Sequence, residues 1–366
     1  MRVALDVMGS DGAPDVELEG AVQASLENDT EVICVGDEAA IEEKLAGFSK
    51  KGNLRVVHAA EAISMDESPV DAVRKKKDAS LLVALRLIKT GEADAMVSAG
   101  NTGAVMVGAR ALLGTIRGVA RCAISQGLPT IAGEVVMLDL GANVDCTTRH
   151  LCEFAEMGVA YSAYALGVEQ PRVGLLNIGQ EMQKGGQVAR EAYLRLQALP
   201  HINFVGNVEP PNIFQGEADV VVCDGFVGNL FLKTSEAAGA FMGKMIREYF
   251  ERSSRSKLGA LLARNALNDL RKRVDPNEYP GAPLLGLNGV VMIVHGSATP
   301  TGVAHAIEGA RTALENRLID HVRENIELLR REEGQTPKPD SGCCACAEAR
   351  EVPEAPVQEV SPENPE

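Results

Sequence analysis

Between residues 2 and 223, short apolar and β-branched runs alternate with stretches whose apolar residues fall at helical spacing. Arg2–Met8, Glu31–Val35, Leu54–His58, Ala95–Ser98, Val135–Leu140, Val173–Ile178, Asn203–Val205 and Val220–Cys223 read as strands. Helices are predicted over Glu17–Leu26, Ala39–Ala46, Ala79–Lys89, the small-residue stretch after Gly103 to about Leu113, Cys152–Leu166 and Val188–Gln197. Strands this uniformly apolar need cover on both faces, which the intervening helices supply. The pattern therefore predicts an α/β, doubly wound fold around a mostly parallel sheet. Two long helical patterns follow without a strand, Leu230–Phe250 and Leu258–Val274, joined by the basic link Arg252-Ser253-Ser254-Arg255-Ser256-Lys257. They predict a helical hairpin over about 230–274 that projects from the body and pairs with a second subunit. Val290–Val294 reads as a last strand and Val303–Arg331 as one long closing helix. Residues 1–334 thus form a single α/β domain in this reading.

Residues 335–366 differ in kind. Six prolines, seven acids and two bases leave too little apolar surface to offset the entropy of ordering, so a disordered acidic tail is expected. Its Cys343, Cys344 and Cys346 lack a second ligand pair at zinc-site spacing, and no metal site is expected. The whole chain carries a formal charge of −15, which excludes a general nucleic-acid binder, since duplex binding depends on cations at phosphates. Trp is absent and aromatics make up 4%, too few for a base-stacking platform. Asp6 and Asp11 interrupt any signal-peptide core, and no run of about 18 apolar residues exists to span a bilayer. The chain reads as cytoplasmic, with any membrane contact made from outside the bilayer core.

In open α/β sheets, ligands bind beyond the carboxyl ends of strands, so the turns there carry the argument. They read Gly9-Ser10-Asp11-Gly12, then Ser98-Ala99-Gly100-Asn101-Thr102-Gly103, then Gly141-Ala142-Asn143-Val144-Asp145. Next come Asn177-Ile178-Gly179-Gln180-Glu181 with Lys184 and Gly185 beyond, Asp224-Gly225-Phe226-Val227-Gly228-Asn229, and His295-Gly296-Ser297. Glycine lets backbone amides approach a ligand, and helix N-termini favour anions. Six such turns, gathered along one edge of the sheet, point to a phosphate-handling site. Each taken alone could be only a turn, because the same residues dominate turns everywhere. Neither a GxGxxG fingerprint nor a Walker loop occurs, so no nucleotide cofactor is implied.

Three further features stand outside that set. Arg74-Lys75-Lys76-Lys77 is a dense basic run in an acidic chain; it is a solvated helix end, or it binds phosphate or steers an acidic partner. His295, at a strand end, is either a structural residue or an acid/base group. Leu258, Leu261 and Leu262 between Lys257 and Arg264 form an apolar tip with basic flanks. That tip belongs to a packed helix or touches a membrane surface.

Together the stretches ALDVMGSDGAP (4–14), RKKKDAS (74–80), VSAGNTG (97–103), LDLGANVDC (138–146), PRVGLLNIG (171–179), FVGNV (204–208), ADVVVCDGFVGN (218–229), GAPLLG (281–286) and His295-Gly296-Ser297 resemble the bacterial phosphate acyltransferase family, PlsX, over roughly residues 1–330. The resemblance implies a fold like that of phosphotransacetylases and of isocitrate and isopropylmalate dehydrogenases. It implies transfer of a long acyl chain from acyl carrier protein to inorganic phosphate, giving acyl phosphate, with no metal or cofactor. A membrane glycerol-3-phosphate acyltransferase would then use that product in phospholipid synthesis. It further implies a cytoplasmic homodimer held loosely at the membrane, with the hairpin and its leucine tip as the dimerising and docking element. The chain departs from the family pattern at Gly12, where a histidine is usual, across Gln180–Gly186, where only Glu181 and Lys184 are kept, and at Thr299-Pro300-Thr301.

On this reading Lys184, Asn229, Asn177 and His295 are the candidate catalytic residues. Lys184 offsets phosphate charge, Asn229 and Asn101 donate from their side chains, and Asn177 and His295 orient the carbonyl or assist the leaving thiolate. Ser98, Gly100, Asn101, Thr102, Gly103, Asn143, Gly179, Asp224, Gly225, Gly228, Gly296 and Ser297 line the substrate site. Asp6, Asp139 and Asp224 orient loops. Arg74, Lys75, Lys76 and Lys77 are expected to dock the acidic carrier. The alternatives are an acyl-CoA phosphotransacetylase, a nicotinamide-dependent decarboxylating dehydrogenase lacking its usual acidic and arginine clusters, and a non-catalytic acyl-delivery scaffold at the membrane.

Overall fold

A computed structural model describes residues 1–28 and 30–335. In chain order the first half of the body is β1 (Arg2–Asp6), α1 (Asp15–Asn28), β2 (Glu31–Gly36), α2 (Glu38–Ala46), β3 (Leu54–His58), α3 (Pro69–Lys75), α4 (Ser80–Thr90), β4 (Ala95–Ser98) and α5 (Thr102–Leu113). The second half is β5 (Ala123–Thr130), β6 (Gly133–Leu138), α6 (Thr148–Tyr164), β7 (Arg172–Leu176), α7 (Gln187–Gln197), β8 (Asn203–Val208), α8 (Pro210–Gln215) and β9 (Val220–Val222). Then come α9 (Gly225–Glu251), α10 (Ser254–Leu262), α11 (Arg264–Val274), β10 (Ala282–Leu285), β11 (Val290–Ile293), α12 (Pro300–Glu315) and α13 (Leu318–Gln335). The tail from residue 336 onward, with its CCAC cluster, lies outside the described residues.

The eleven strands form one sheet in the order β3-β2-β1-β4-β11-β10-β5-β6-β9-β7-β8. Alternate strand residues serve two cores. Val3, Leu5, Val32, Cys34, Val97, Val136, Leu138 and Val222 face a cluster roofed by α1, α6, α7, α12 and α13. Ala4, Ile33, Met96, Val135, Met137 and Val221 face the other, covered by α3, α4, α5 and α8. Both faces are buried, as the apolar strands require, so the α/β doubly wound assignment holds.

Direction within the sheet is another matter. β1 to β4 and β11 run parallel to one another, but β10 pairs antiparallel with both β11 and β5, and β5 pairs antiparallel with β6. β6, β9, β7 and β8 therefore run opposite to the first group. This corrects the expectation of one ligand-binding edge: the carboxyl ends of the two groups leave opposite edges of the sheet. The two strands that cause the reversal are the ones without a clean strand pattern. β5 carries Gln126, Gly127 and Pro129, and β10 carries Pro283.

Two helical expectations also change. The closing pattern breaks between α12 and α13, where Arg317 sits at φ +51°. The second hairpin segment starts at Ser254, because the Ser253 hydroxyl accepts from the Ser256 amide and caps it, and it divides at Ala263 into α10 and α11. α9 has 27 residues, about 40 Å of helix, of which only Gly225 and Gly228 are buried. Phe241, Met242, Ile246 and Tyr249 are exposed along it. α11 returns to the body, where Arg273 Nη2 donates to the Thr130 carbonyl at 2.7 Å.

Candidate active site

The sequence-marked turns gather into two sets. The first follows β6, β7 and β9. Asp139 lies just past β6, fully buried, and its carboxylate is a hub. Oδ1 accepts from the Ile124 and Ala142 amides (3.1 and 3.0 Å), and Oδ2 from the Asn143 amide and Nδ2 (2.7 and 2.9 Å). Burial still lifts this carboxyl above the ordinary aspartate range, against those four donors. Asn143 Nδ2 also donates to the Cys122 carbonyl, and the Asn143 carbonyl accepts the Gly225 amide at 2.8 Å. The start of α9 is thereby tied to Asp139. Asp224 caps that helix, its Oδ1 accepting from the Val227 amide at 2.9 Å. Gly228 packs directly on the Asp139 carbonyl, where any Cβ would collide. One residue on, Asn229 faces Gly141; a Cβ added to that glycine would come within 3.5 Å of the Asn229 amide. The Asn229 side chain makes no hydrogen bond to any described residue.

The loop after β7 is built the same way. Asn177 Nδ2 donates to the Lys184 carbonyl (3.1 Å), and its Oδ1 accepts from the Ile178 amide (2.9 Å). Gly185, at φ +81°, folds against that same side chain. Asn207, which sequence reasoning left out, donates Nδ2 to the Glu181 carbonyl at 2.8 Å. Its only sequence signal was its place in FVGNV. Gly179 leaves the room that the Lys184 stem fills. The Lys184 ammonium has one acidic neighbour, Glu181 Oε2, at 3.9 Å, and both side chains are about half exposed. A pair this long and wet is worth little, so the cation is available to an anion.

The second set follows β1, β4 and β11 on the opposite edge. Buried Asp6 accepts from Ser80 Oγ (2.6 Å) and Ser98 Oγ (2.8 Å), and Ser98 Oγ accepts the Gly100 amide (3.1 Å). Gly9 lies against the backbone of Gly100. Burial raises the Asp6 carboxyl, and likewise that of Glu17, which accepts the Ser10 amide at 3.0 Å and has its second oxygen buried without a partner. Asp11 donates its amide to the Gly296 carbonyl, joining the first loop to the last. His295 Nδ1 accepts the Ser297 amide (3.2 Å) and lies 2.7 Å from Ser297 Oγ, which assigns the ring proton to the exposed Nε2.

Several expectations change here. Asn101 is no free donor: its Nδ2 bonds the carbonyls of Ser64, Met65 and Glu67, and its Oδ1 caps α5 through the Ala104 amide. Asn177 likewise holds the Lys184 loop, one Nδ2 proton going to the Lys184 carbonyl and Oδ1 accepting from the Ile178 amide. His295, Gly296, Ser297, Ser98, Gly100, Thr102 and Gly103 stand with Asp6, away from Lys184, Asn229, Asn143, Gly179, Asp224, Gly225 and Gly228. Of the basic run, Lys76 Nζ is held by Glu67 Oε1 and the Ala62 carbonyl (both 2.7 Å), and Lys77 Nζ by the Val73 carbonyl (3.2 Å). Only Arg74 and Lys75 remain uncommitted. Leu258, Leu261 and Leu262 are all exposed on α10, spaced to share one face. No described helix is long and apolar enough to cross a membrane.

The model of a family described as fatty acid synthesis protein matches residues 1–321. A phosphate acyltransferase of Citrifermentans bemidjiense is 46% identical over 347 residues, 93% of this chain and 98% of that protein. One of Pelotomaculum thermopropionicum is 45% identical over 329 residues, 90% of this chain and 96% of that protein. In fold, the chain is similar to a phosphotransacetylase from Streptococcus pyogenes, with a TM-score of 0.60 at 19% identity over 86% of this chain and 94% of the other.

Proposed function

The chain belongs to the fatty acid synthesis protein family and is an acyltransferase; on that premise we propose that it moves a long-chain acyl group from acyl-[acyl-carrier-protein] to inorganic phosphate. The acyl phosphate would feed a membrane glycerol-3-phosphate acyltransferase in phospholipid synthesis. The observation that carries the site assignment is that the Asn229 side chain makes no hydrogen bond to a described residue and the Lys184 ammonium only a 3.9 Å contact with Glu181, while Asn143, Asn177 and Asn207 anchor the loops around them. Phosphate is already a nucleophile at neutral pH, so the protein's task is to position it and to offset charge. A phosphate oxygen attacks the thioester carbonyl, the tetrahedral oxyanion forms, the C–S bond breaks, and the departing thiolate takes up a proton. Lys184 holds the phosphate and Asn229 Nδ2 donates to the oxyanion. Asn177, Asn207 and Asp139 act as positioning residues. The Nε2–H of His295 serves as a hydrogen-bond donor to the departing sulfur, and the proton that neutralises the thiolate comes from solvent.

His295 lies on one sheet edge and Lys184 on the other, so a second copy of the chain is the means of bringing them together. We therefore propose a homodimer built on α9 to α11, with Leu258, Leu261 and Leu262 resting on the membrane surface. The test of the activity is purified protein with acyl carrier thioester and labelled phosphate, reading acyl phosphate directly. Full turnover by Lys184→Ala or Asn229→Ala would remove that residue from the site, and turnover only of acyl-CoA would replace the carrier as donor.

A further inference from the structure

The chain is acidic overall, yet one part of its surface is lined by guanidinium groups. Arg117, in the loop between α5 and β5, joins Arg330 and Arg331, in the last turns of α13, and Glu327 around a pocket of about 280 Å³. Gly118, at φ +104°, lets that loop fold against the Arg330 stem and Ile326. Arg149, at the start of α6, donates Nη2 to the Gly118 carbonyl at 2.8 Å while its Nε pairs with buried Glu153 at 2.6 Å. Arg121 completes the loop. Burial holds the nearby His150 imidazole below its ordinary value, and the charges of Arg121 and Arg149 add to that. Arg117, Arg121 and Arg330 are exposed and form no ion pair with any described residue. Arg331 has only Glu327, at 3.9 Å.

This surface adjoins the first loop set. Cys122, the residue after Arg121, gives its carbonyl to Asn143 Nδ2 at 2.8 Å, and Asn143 holds the Gly225 amide at the start of the turn that ends in Asn229. The Arg74–Lys77 run, by contrast, has two of its four cations spent inside the protein. Guanidinium groups suit carboxylate partners because they bind in a bidentate way and shed water more readily than ammonium. Their spread over a loop and a helix exceeds what one small anion would touch.

We propose that the Arg117, Arg121 and Arg330 surface docks the acidic carrier protein that presents the acyl thioester. The proposal rests on the carrier-thioester reading above and places the carrier beside the Asn143 and Asn229 loops. The decisive comparison assays Arg117→Glu, Arg121→Glu and Arg330→Glu against Lys75→Glu, each with acyl carrier thioester and with acyl-CoA as a donor lacking the carrier. The arginine variants are expected to raise KM for the carrier thioester roughly tenfold, because exposed charges act mainly on encounter. That penalty should shrink at high salt, with kcat at saturation and acyl-CoA turnover unchanged. An unchanged carrier KM in all three, with Lys75→Glu raising it, would overturn the assignment. So would equal losses on both donors, or loss of binding to vesicles of anionic lipid with carrier KM intact. Wild-type turnover of acyl-CoA with none of the carrier thioester would remove the carrier reading itself, and the docking surface with it.

Discussion

Asn229 and Lys184 differ from the asparagines that anchor their loops in what they are not doing. Asn143, Asn177 and Asn207 each donate an amide N–H to neighbouring backbone, while the Asn229 amide bonds no described residue and the Lys184 ammonium has only Glu181, at 3.9 Å. Asn229→Ala is expected to lower kcat about 10²–10³-fold, the usual cost of one oxyanion donor, with an unchanged melting temperature. Asn177→Ala should lower both activity and stability, because the Lys184 loop loses its anchor; calorimetry beside kinetics separates the two. Glu17 of α1 is fully buried. Its folded-state carboxyl is raised by burial, so ionising it costs stability as pH rises through that elevated value. Glu17→Gln should therefore melt higher than wild type at neutral pH, the gain fading as pH falls to the ordinary carboxylate range. A pH-independent difference would show that the buried charge is not the cause. The sequence marks where amide-bearing residues sit after strands. It does not mark which partner consumes each amide, because Asn101 meets the Ser64–Glu67 loop only through tertiary folding.

Helix starts were missed where a capping side chain, rather than apolar spacing, sets them: α9 begins at Gly225, not at the expected Leu230. Asp37 and Asp224 each accept an amide three residues on, and Ser253 explains why α10 begins earlier than its apolar spacing suggests. β5 and β10 escaped notice because strand periodicity is carried by side chains, and Gly127, Pro129 and Pro283 blur it. The seating of α9 is the most exacting contact in the fold, with Gly228 against the Asp139 carbonyl and Gly225 against Asn143. Gly228→Ala is expected to destabilise the protein by about 1–3 kcal/mol through overpacking and to displace Asn229, lowering activity beyond the stability loss. Denaturant unfolding with parallel assays checks both. Phe154→Ala, in the opposite core, should cost about 3–5 kcal/mol while leaving the KM for phosphate unaltered in the folded fraction.

At the scale of the molecule, the reversal of strand direction separates His295 from Lys184. Strand direction leaves no trace in apolar patterning, which reads the same either way along the chain, so the doubly wound class was legible and its two opposed edges were not. If the partner copy closes the site, inactive Lys184→Ala and His295→Ala proteins should regain turnover when mixed and allowed to exchange subunits; persistent inactivity of verified mixed dimers would refute it. Replacing Leu258, Leu261 and Leu262 with serine should abolish vesicle co-sedimentation and spare turnover in solution. β11 and β10, close to the end of the body, lie between β4 and β5, which are made far earlier. A nascent chain leaving the ribosome therefore holds two unjoined half-sheets, each with an open flank, until residues 282–293 emerge. That interval is when long-range pairing is slowest and exposed edges are most prone to aggregate, and a chaperone holding such edges apart would act before synthesis ends.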